Sequence, residues 1–331
     1  MSLDWAPKPW VKAPPTPVWT QYFKQANPNA TVQRDDLRAC TIGGKIWGAT
    51  FDDGPSTVEP ALTDCGFCLF AHNKVADKLN QLTDFRQINM LTTFYTIGSV
   101  VIQYPNITLD TFSKVHEIGL HTWSHSLLTK LTDDEIVAEL VYSAKAVYQT
   151  IDQVPKYLRP PYGGSDERVR RLANSMGLTV VGFVDTEDWK YWNSKTQMQP
   201  VVTGHFKDWI KNGTAGLITL QHDVWQSEVD VGKDAMDLLV KAGYSIKPVY
   251  ECLGDTSPYG NEILEGFFLS GQFENKNAVV PPLAGNFVSS NFTGRIGPVK
   301  QFVSVVPVTT TSSVEPCGFG LVFSILAMML V

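Results

Sequence analysis

The run Thr50-Phe51-Asp52-Asp53-Gly54-Pro55 sets two adjacent carboxylates at the end of an apolar stretch, just before Gly and Pro turn the chain. Neighbouring acids repel unless a cation or a proton relieves them, so the pair suits one metal ligand beside one general base. A solvated Asp-Asp-Gly turn is the bland alternative. Further along, His121-Thr-Trp-Ser-His125 spaces two imidazoles four residues apart, which brings both to one face if the segment is helical. Two histidines and one carboxylate with open coordination positions form an arrangement that activates water.

Three more segments follow in order: Arg159-Pro160-Pro161-Tyr162-Gly163, Asp185-Thr186-Glu187-Asp188-Trp189 and Ile218-Thr219-Leu220-Gln221-His222-Asp223. Together the five segments resemble the polysaccharide deacetylase family with the NodB homology domain, over the span from Gly44 to Val249. The resemblance implies an α/β fold, a distorted (β/α) barrel that binds Zn²⁺, Co²⁺ or another divalent ion through Asp53, His121 and His125. By the same resemblance Asp52 is the base, His222 the acid that protonates the departing amine, Asp188 the carboxylate paired with that histidine, and Arg159 the cation that holds Asp52 ionised. The Tyr162 backbone N–H becomes the oxyanion donor, and Trp189 and Leu220 the walls around an acetyl methyl. Without that context Arg159 reads as a surface ion pair and Trp189 and Leu220 as plain core. Asp185, Glu187 and Asp223 stay unassigned.

The activity implied is removal of N-acetyl groups from an N-acetylglucosamine polymer or oligomer, with chitin, giving chitosan and acetate, as the expected substrate. The alternatives are another acetylated glycan, xylan included, or a wall protein that binds glycan without chemistry. An adhesin built on a long Ser/Thr stalk is disfavoured, since the only such tract is Thr309 to Ser313.

Catalytic side chains at these places need parallel strands whose C-terminal ends converge. Short apolar runs alternating with helix-like stretches supply them. Strands are expected at Lys45–Phe51, Thr92–Ile97, Thr179–Val184 and Gly216–Leu220, and helices at Leu109–Ile118, Asp133–Thr150, Ser165–Met176 and Asp230–Ala242. The helix beginning after Thr132 is the best marked, with Glu135 three residues beyond a hydroxyl cap and Ile136, Leu140, Ala144 and Val147 on one face.

The 331 residues carry a net charge of −6 with no long Lys/Arg run, which argues against nucleic-acid binding. A monomer is expected. Of five cysteines, Cys40 and Cys252 bracket the catalytic region and are expected to form a disulfide. Sequons at Asn29, Asn106, Asn212 and Asn291 fit a glycosylated, exterior protein. The apolar end from Gly318 to Val331 follows a small, polar stretch and is short for a spanning helix, which needs about 20 residues. It reads as a GPI-attachment signal, giving an extracellular protein held to the plasma membrane or wall by lipid alone; a tail anchor or a core strand is the alternative. Cys317 then leaves with the tail. A eukaryotic anchor favours fungal chitin over bacterial peptidoglycan.

Met1 to Ala30 holds no apolar signal-peptide core, so a start truncated relative to the secreted form is expected. The resulting organisation is a Pro-rich extended segment over 1–40, a catalytic domain over 41–254, a loop-rich appendage over 255–303 and the anchor signal over 304–331. Within the domain, 57–91 departs from the family pattern and contains Cys65 and Cys68 followed by His72. A second disulfide, an ordinary insertion or a misassigned gene segment would each account for it, ahead of a second metal or redox site.

Overall fold

The structure is a computed structural model describing residues 4–59, 62 and 90–274. Most of the irregular stretch with Cys65, Cys68 and His72, the fourth sequon at Asn291, Cys317 and the apolar tail lie outside the described residues. Among the described residues no helix is long and apolar enough to cross a membrane.

All the strands run parallel. In chain order they are β1 (Ile46–Asp52), β2 (Thr93–Thr96), β3 (Glu117–Leu120), β4 (Tyr157–Leu158), β5 (Thr179–Val180), β6 (Val184–Asp185), β7 (Ile218–His222) and β8 (Ser245–Lys247). Their spatial order is β5-β4-β3-β2-β1-β7-β6, with β8 beside the start of β1. The two outermost strands, β5 and β6, are therefore separated in sequence only by Val181, Gly182 and Phe183. Such a span reaches roughly 14 Å at full extension, so a sheet seven strands wide must curl until its edges meet. Leu37 and Ala39 help to close it, bridging Val181 and Leu217. This is why the single strand expected over 179–184 is two: Gly182 crosses the gap, its N–H bonded to the Leu37 carbonyl at 2.8 Å.

β1 lies at the centre, and its alternation divides it cleanly. Trp47, Ala49 and Phe51 pack into the apolar core outside the sheet, while Thr50 and Asp52 face the other way, toward Arg159. The helices are α1 (Pro17–Ala26), α2 (Gly98–Val101), α3 (Pro105–Ser113), α4 (Asp133–Ile151), α5 (Glu167–Ser175), α6 (Lys195–Lys211), α7 (Gln226–Lys241), α8 (Val249–Cys252) and α9 (Glu262–Leu269). α4 opens with the capping box read from the sequence, Thr132 and Glu135 bonding each other's backbone N–H.

Three expectations are corrected. The helix placed over 109–118 begins earlier, with Pro105 in its first turn, and ends at Ser113; Val115 at φ 60° breaks it, and Ile118 belongs to β3. The Pro-rich entry contains α1, whose Trp19 and Phe23 are buried. The stretch after Asp255 contains α9, where Phe267 packs on Tyr22 and Phe23 with ring centroids 5.1 and 4.8 Å apart. Isolated aromatics concealed both helices, because their partners come from opposite ends of the chain. Cys40 and Cys252 form a disulfide across a sequence separation of 212.

Candidate active site

The five chemical segments meet at the C-terminal rim of the sheet. Asp52 ends β1, His121 follows β3, Arg159 follows β4, Asp188 lies just past β6, and His222 ends β7. Parallel β1 and β7 set Asp52 directly beside His222 in register.

Asp53 Oδ1 lies 3.2 Å from His121 Nε2 and 3.1 Å from His125 Nε2. The segment between the two histidines is an irregular loop and not the helix their spacing allowed. A tight turn brings the rings to 5.0 Å, with Thr122 at φ 65° and His125 at φ 59°. The Nδ1–H of His121 donates to the Arg159 carbonyl at 2.7 Å, and Nδ1 of His125 lies 3.1 Å from the Tyr162 hydroxyl. Each imidazole is thus oriented through Nδ1 and directs Nε2 at the same carboxylate oxygen, the manner in which a histidine is prepared for a metal.

That oxygen is buried, and its contacts to Nε2 become hydrogen bonds only if the imidazoles are protonated. Burial would raise the Asp53 carboxyl, but His125, His121 and His222 hold it well below the usual range. Burial would lower His125, but Asp53 raises it. Both shifts express a demand for positive charge at one spot. One ligand atom from each of Asp53, His121 and His125 falls within 4.8 Å of the others, so the three fit a divalent cation.

Asp52 is held differently. Arg159, fully buried, donates from Nη1 to Asp52 Oδ1 at 2.7 Å and to the Thr50 hydroxyl, and from Nη2 to the Gly182 carbonyl at 3.1 Å. Its guanidinium lies 4.2 Å from the centre of the Tyr95 ring. It is not a surface ion pair. Asp52 Oδ2 stands 3.9 Å from His121 Nε2, adjacent to the cation position.

His222 donates its backbone N–H to Asp188 Oδ2 at 2.7 Å, and its Nδ1 lies 2.9 Å from Oδ1. Burial alone would lower its pKa, yet Asp188 raises it well above the ordinary value, with Asp53 and Glu228 adding to the effect. Its Nε2 stands 3.9 Å from Asp53 Oδ2.

Leu220 is buried, two residues before His222 on β7, whereas Trp189 is half exposed and its indole N–H donates to Asp185 Oδ2 at 3.2 Å. Trp189 is thus no core residue. Tyr162 is 70% exposed and sits in a tight turn at φ 59°. Asp223 is buried against Glu59. Burial and its neighbouring acids raise Asp223, and burial raises Glu59 to about 7. Only a glycine fits above them, because a Cβ on Gly54 would lie 2.7 Å from Asp223 Oδ2 and 2.9 Å from Glu59 Oε2. The asparagines of the sequons at Asn29, Asn106 and Asn212 are exposed, although Thr108 of the second is buried.

Sequence reasoning overlooked Thr50 and Glu139. Thr50 shares the Asp52 face of β1 by simple alternation. Glu139 is three residues beyond Ile136 on the buried face of α4, and an acid there is itself a signal.

Residues 41–181 match the family model described as polysaccharide deacetylase. The chain is 35% identical over 238 residues to chitin deacetylase 1 of Cryptococcus neoformans var. grubii, a match covering 64% of this chain and 45% of that protein. It is 34% identical over 224 residues to chitin deacetylase 1 of Saccharomyces cerevisiae, covering 67% of this chain and 64% of the relative. The chain thus spans between about half and two thirds of the length of these relatives. The solved chitin deacetylase of the fungal pathogen Colletotrichum lindemuthianum shares the fold, with a TM-score of 0.57 at 24% identity over 69% of this chain and 96% of that one. The Bc1960 peptidoglycan N-acetylglucosamine deacetylase gives a TM-score of 0.53 at 25% identity, over 66% of this chain and 93% of that one. A curled parallel sheet with a carboxylate and imidazole site on its C-terminal rim is the NodB-type fold, and residues 41–181 of the chain carry the match to the polysaccharide deacetylase family. Its relatives at about a third identity are the chitin deacetylases of fungi.

Proposed function

We propose that the chain is a metal-dependent chitin deacetylase, removing N-acetyl groups from N-acetylglucosamine polymers or oligomers to leave free amines and acetate. The observation that carries this reading is the convergence of Asp53, His121 and His125 on one point, with Asp52 and His222 each 3.9 Å from a member of that trio. A divalent cation held there, Zn²⁺ or Co²⁺, supplies Lewis acidity that activates water and polarises the acetyl carbonyl.

Asp52 receives the proton of the attacking water, and Arg159 holds it aimed. His222 delivers a proton to the departing sugar nitrogen, and Asp188 favours its charged form so that the proton is available. The Tyr162 backbone N–H donates to the developing oxyanion, and Trp189 and Leu220 bound the space for one methyl group. The exposed sequon asparagines and the apolar C-terminal tail support an extracellular, lipid-anchored location.

Acetate release from chitin pentamer by the full chain tests the proposal. Release that a chelator abolishes and Zn²⁺ restores is expected, together with its loss in Asp52→Asn while oligomer binding persists. A folded, metal-loaded protein that releases no acetate from chitin oligomers would overturn the substrate assignment, and equal release by Asp52→Asn would overturn the base.

A further inference from the structure

The loop carrying His121 and His125 is itself neither strand nor helix, and Thr122 and His125 both hold positive φ. For a β-branched residue such as Thr122 this conformation is an outlier, and it persists only where its surroundings impose it. The surroundings can be counted bond by bond. His121 N–H donates to the Thr96 carbonyl at 3.0 Å, and the His125 N–H to the Thr122 hydroxyl at 3.1 Å. The carbonyls of Thr122 and Trp123 accept from the N–H groups of Gly98 and Ser99 in α2, at 2.9 and 3.1 Å.

Two further N–H groups, those of Trp123 and Ser124, lie between the strained residues, and both donate to one oxygen of Glu139, at 3.0 and 2.8 Å. The other oxygen accepts the Ser124 hydroxyl at 2.8 Å and the N–H of Ala13 at 2.8 Å. Glu139 is fully buried on α4, and all four donors aim at it. A carboxylate in such a place is costly unless it is bonded in this way, and an apolar residue on this face of α4 would pack without that cost.

We propose that Glu139 is a positioning residue for the cation site, fixing the strained loop between His121 and His125 so that both Nε2 atoms meet Asp53, and tying that loop to the N-terminal segment at Ala13. This rests on the assignment of Asp53, His121 and His125 as a cation site. Glu139 touches neither cation nor substrate and acts only through the loop. The N-terminal segment is thereby part of the support of the site.

The experiment is Zn²⁺ affinity of the full chain, by competition with a chromophoric chelator well below the unfolding temperature, beside acetate release. Glu139→Ala is expected to weaken Zn²⁺ binding about 10–100-fold, the range for losing an outer support of metal ligands. Glu139→Gln should stay within about three-fold of the parent, because an amide oxygen can accept both loop N–H groups. Val147→Ala, a cavity on the same helix, should lower the unfolding temperature and leave the affinity unchanged. If Glu139→Ala does not fold, Glu139→Asp withdraws the carboxylate by one methylene and should weaken binding in the same direction. Parent-like affinity in a folded Ala or Asp variant would overturn the proposal. Failure of the parent chain to bind Zn²⁺ would instead overturn the cation site and this inference with it.

Discussion

Both oxygens of Asp188 engage His222, one by its backbone N–H at 2.7 Å and the other by its ring Nδ1 at 2.9 Å, and the Trp189 N–H steadies the second oxygen at 2.8 Å. One carboxylate therefore fixes where the imidazole sits, which tautomer it adopts and how strongly it holds a proton. Burial works against that proton, and Asp188 outweighs burial. An acid is active while protonated, so raising its pKa extends activity upward in pH. The alkaline limb of kcat should lie above the ordinary histidine value of 6.5. Asp188→Asn removes the charge but keeps an acceptor, and the limb should move to lower pH with a fall in the plateau. Initial rates across the pH range decide it, and an unmoved limb would remove Asp188 from this role.

Arg159 serves the site twice, through its guanidinium to Asp52 and through its carbonyl to His121 Nδ1. Arg159→Lys keeps the carbonyl and the charge but loses the fork that reaches Asp52, Thr50 and Gly182 together. The expected result is a kcat at least about ten-fold lower with nearly parental Zn²⁺ affinity, since a hydrogen bond to a charged group contributes about 1.5–3 kcal/mol. Isothermal titration beside kinetics separates the two, and a matching loss of metal affinity would show that the side chain also shapes the loop.

Gly98 permits α2 to lie against α4. A Cβ there would meet the Ser143 Cα at 2.5 Å, a backbone atom that cannot step aside. Gly98→Ala should destabilise the fold by about 1–3 kcal/mol and also weaken Zn²⁺ binding, because the Gly98 N–H supports the Thr122 carbonyl. Denaturant titration with a metal competition assay checks both, and a neutral substitution would mean that the helices separate easily.

Cys40→Ser should lower stability by about 2–5 kcal/mol, as expected for a native cross-link spanning much of the chain. Unfolding curves of the oxidised protein and the variant measure it. Acetate release at low temperature should change little, because the bond lies near the N-terminal end of β1, by Gly48, away from the rim.

Much of the site was legible in the sequence because its chemistry lies in short segments at strand ends. Asp52 and Asp53 precede a Gly-Pro turn, and His222 closes an apolar run, so type and position agreed before any geometry was known. The His121 and His125 loop was misjudged, because spacing of four fits a helix and local sequence cannot show that Glu139, fourteen residues beyond His125, imposes another path. The division of 179–184 into opposite edges of the sheet was equally hidden, since curling is a property of the whole strand order. α1 and α9 escaped because the aromatics that complete each come from the far end of the chain.

The position of β1 has a consequence for how the protein is made. It leaves the ribosome before the other described strands, yet one of its edges is paired by β7, with Gly48 against Ile218 across roughly 170 residues of chain. At a synthesis rate of roughly 5–20 residues per second that edge waits on the order of ten to thirty seconds for its partner. Through that interval a strand bearing Trp47, Ala49 and Phe51 stands open to any neighbouring chain, so the yield of native protein depends on what shields the nascent strand as well as on the stability of the finished barrel.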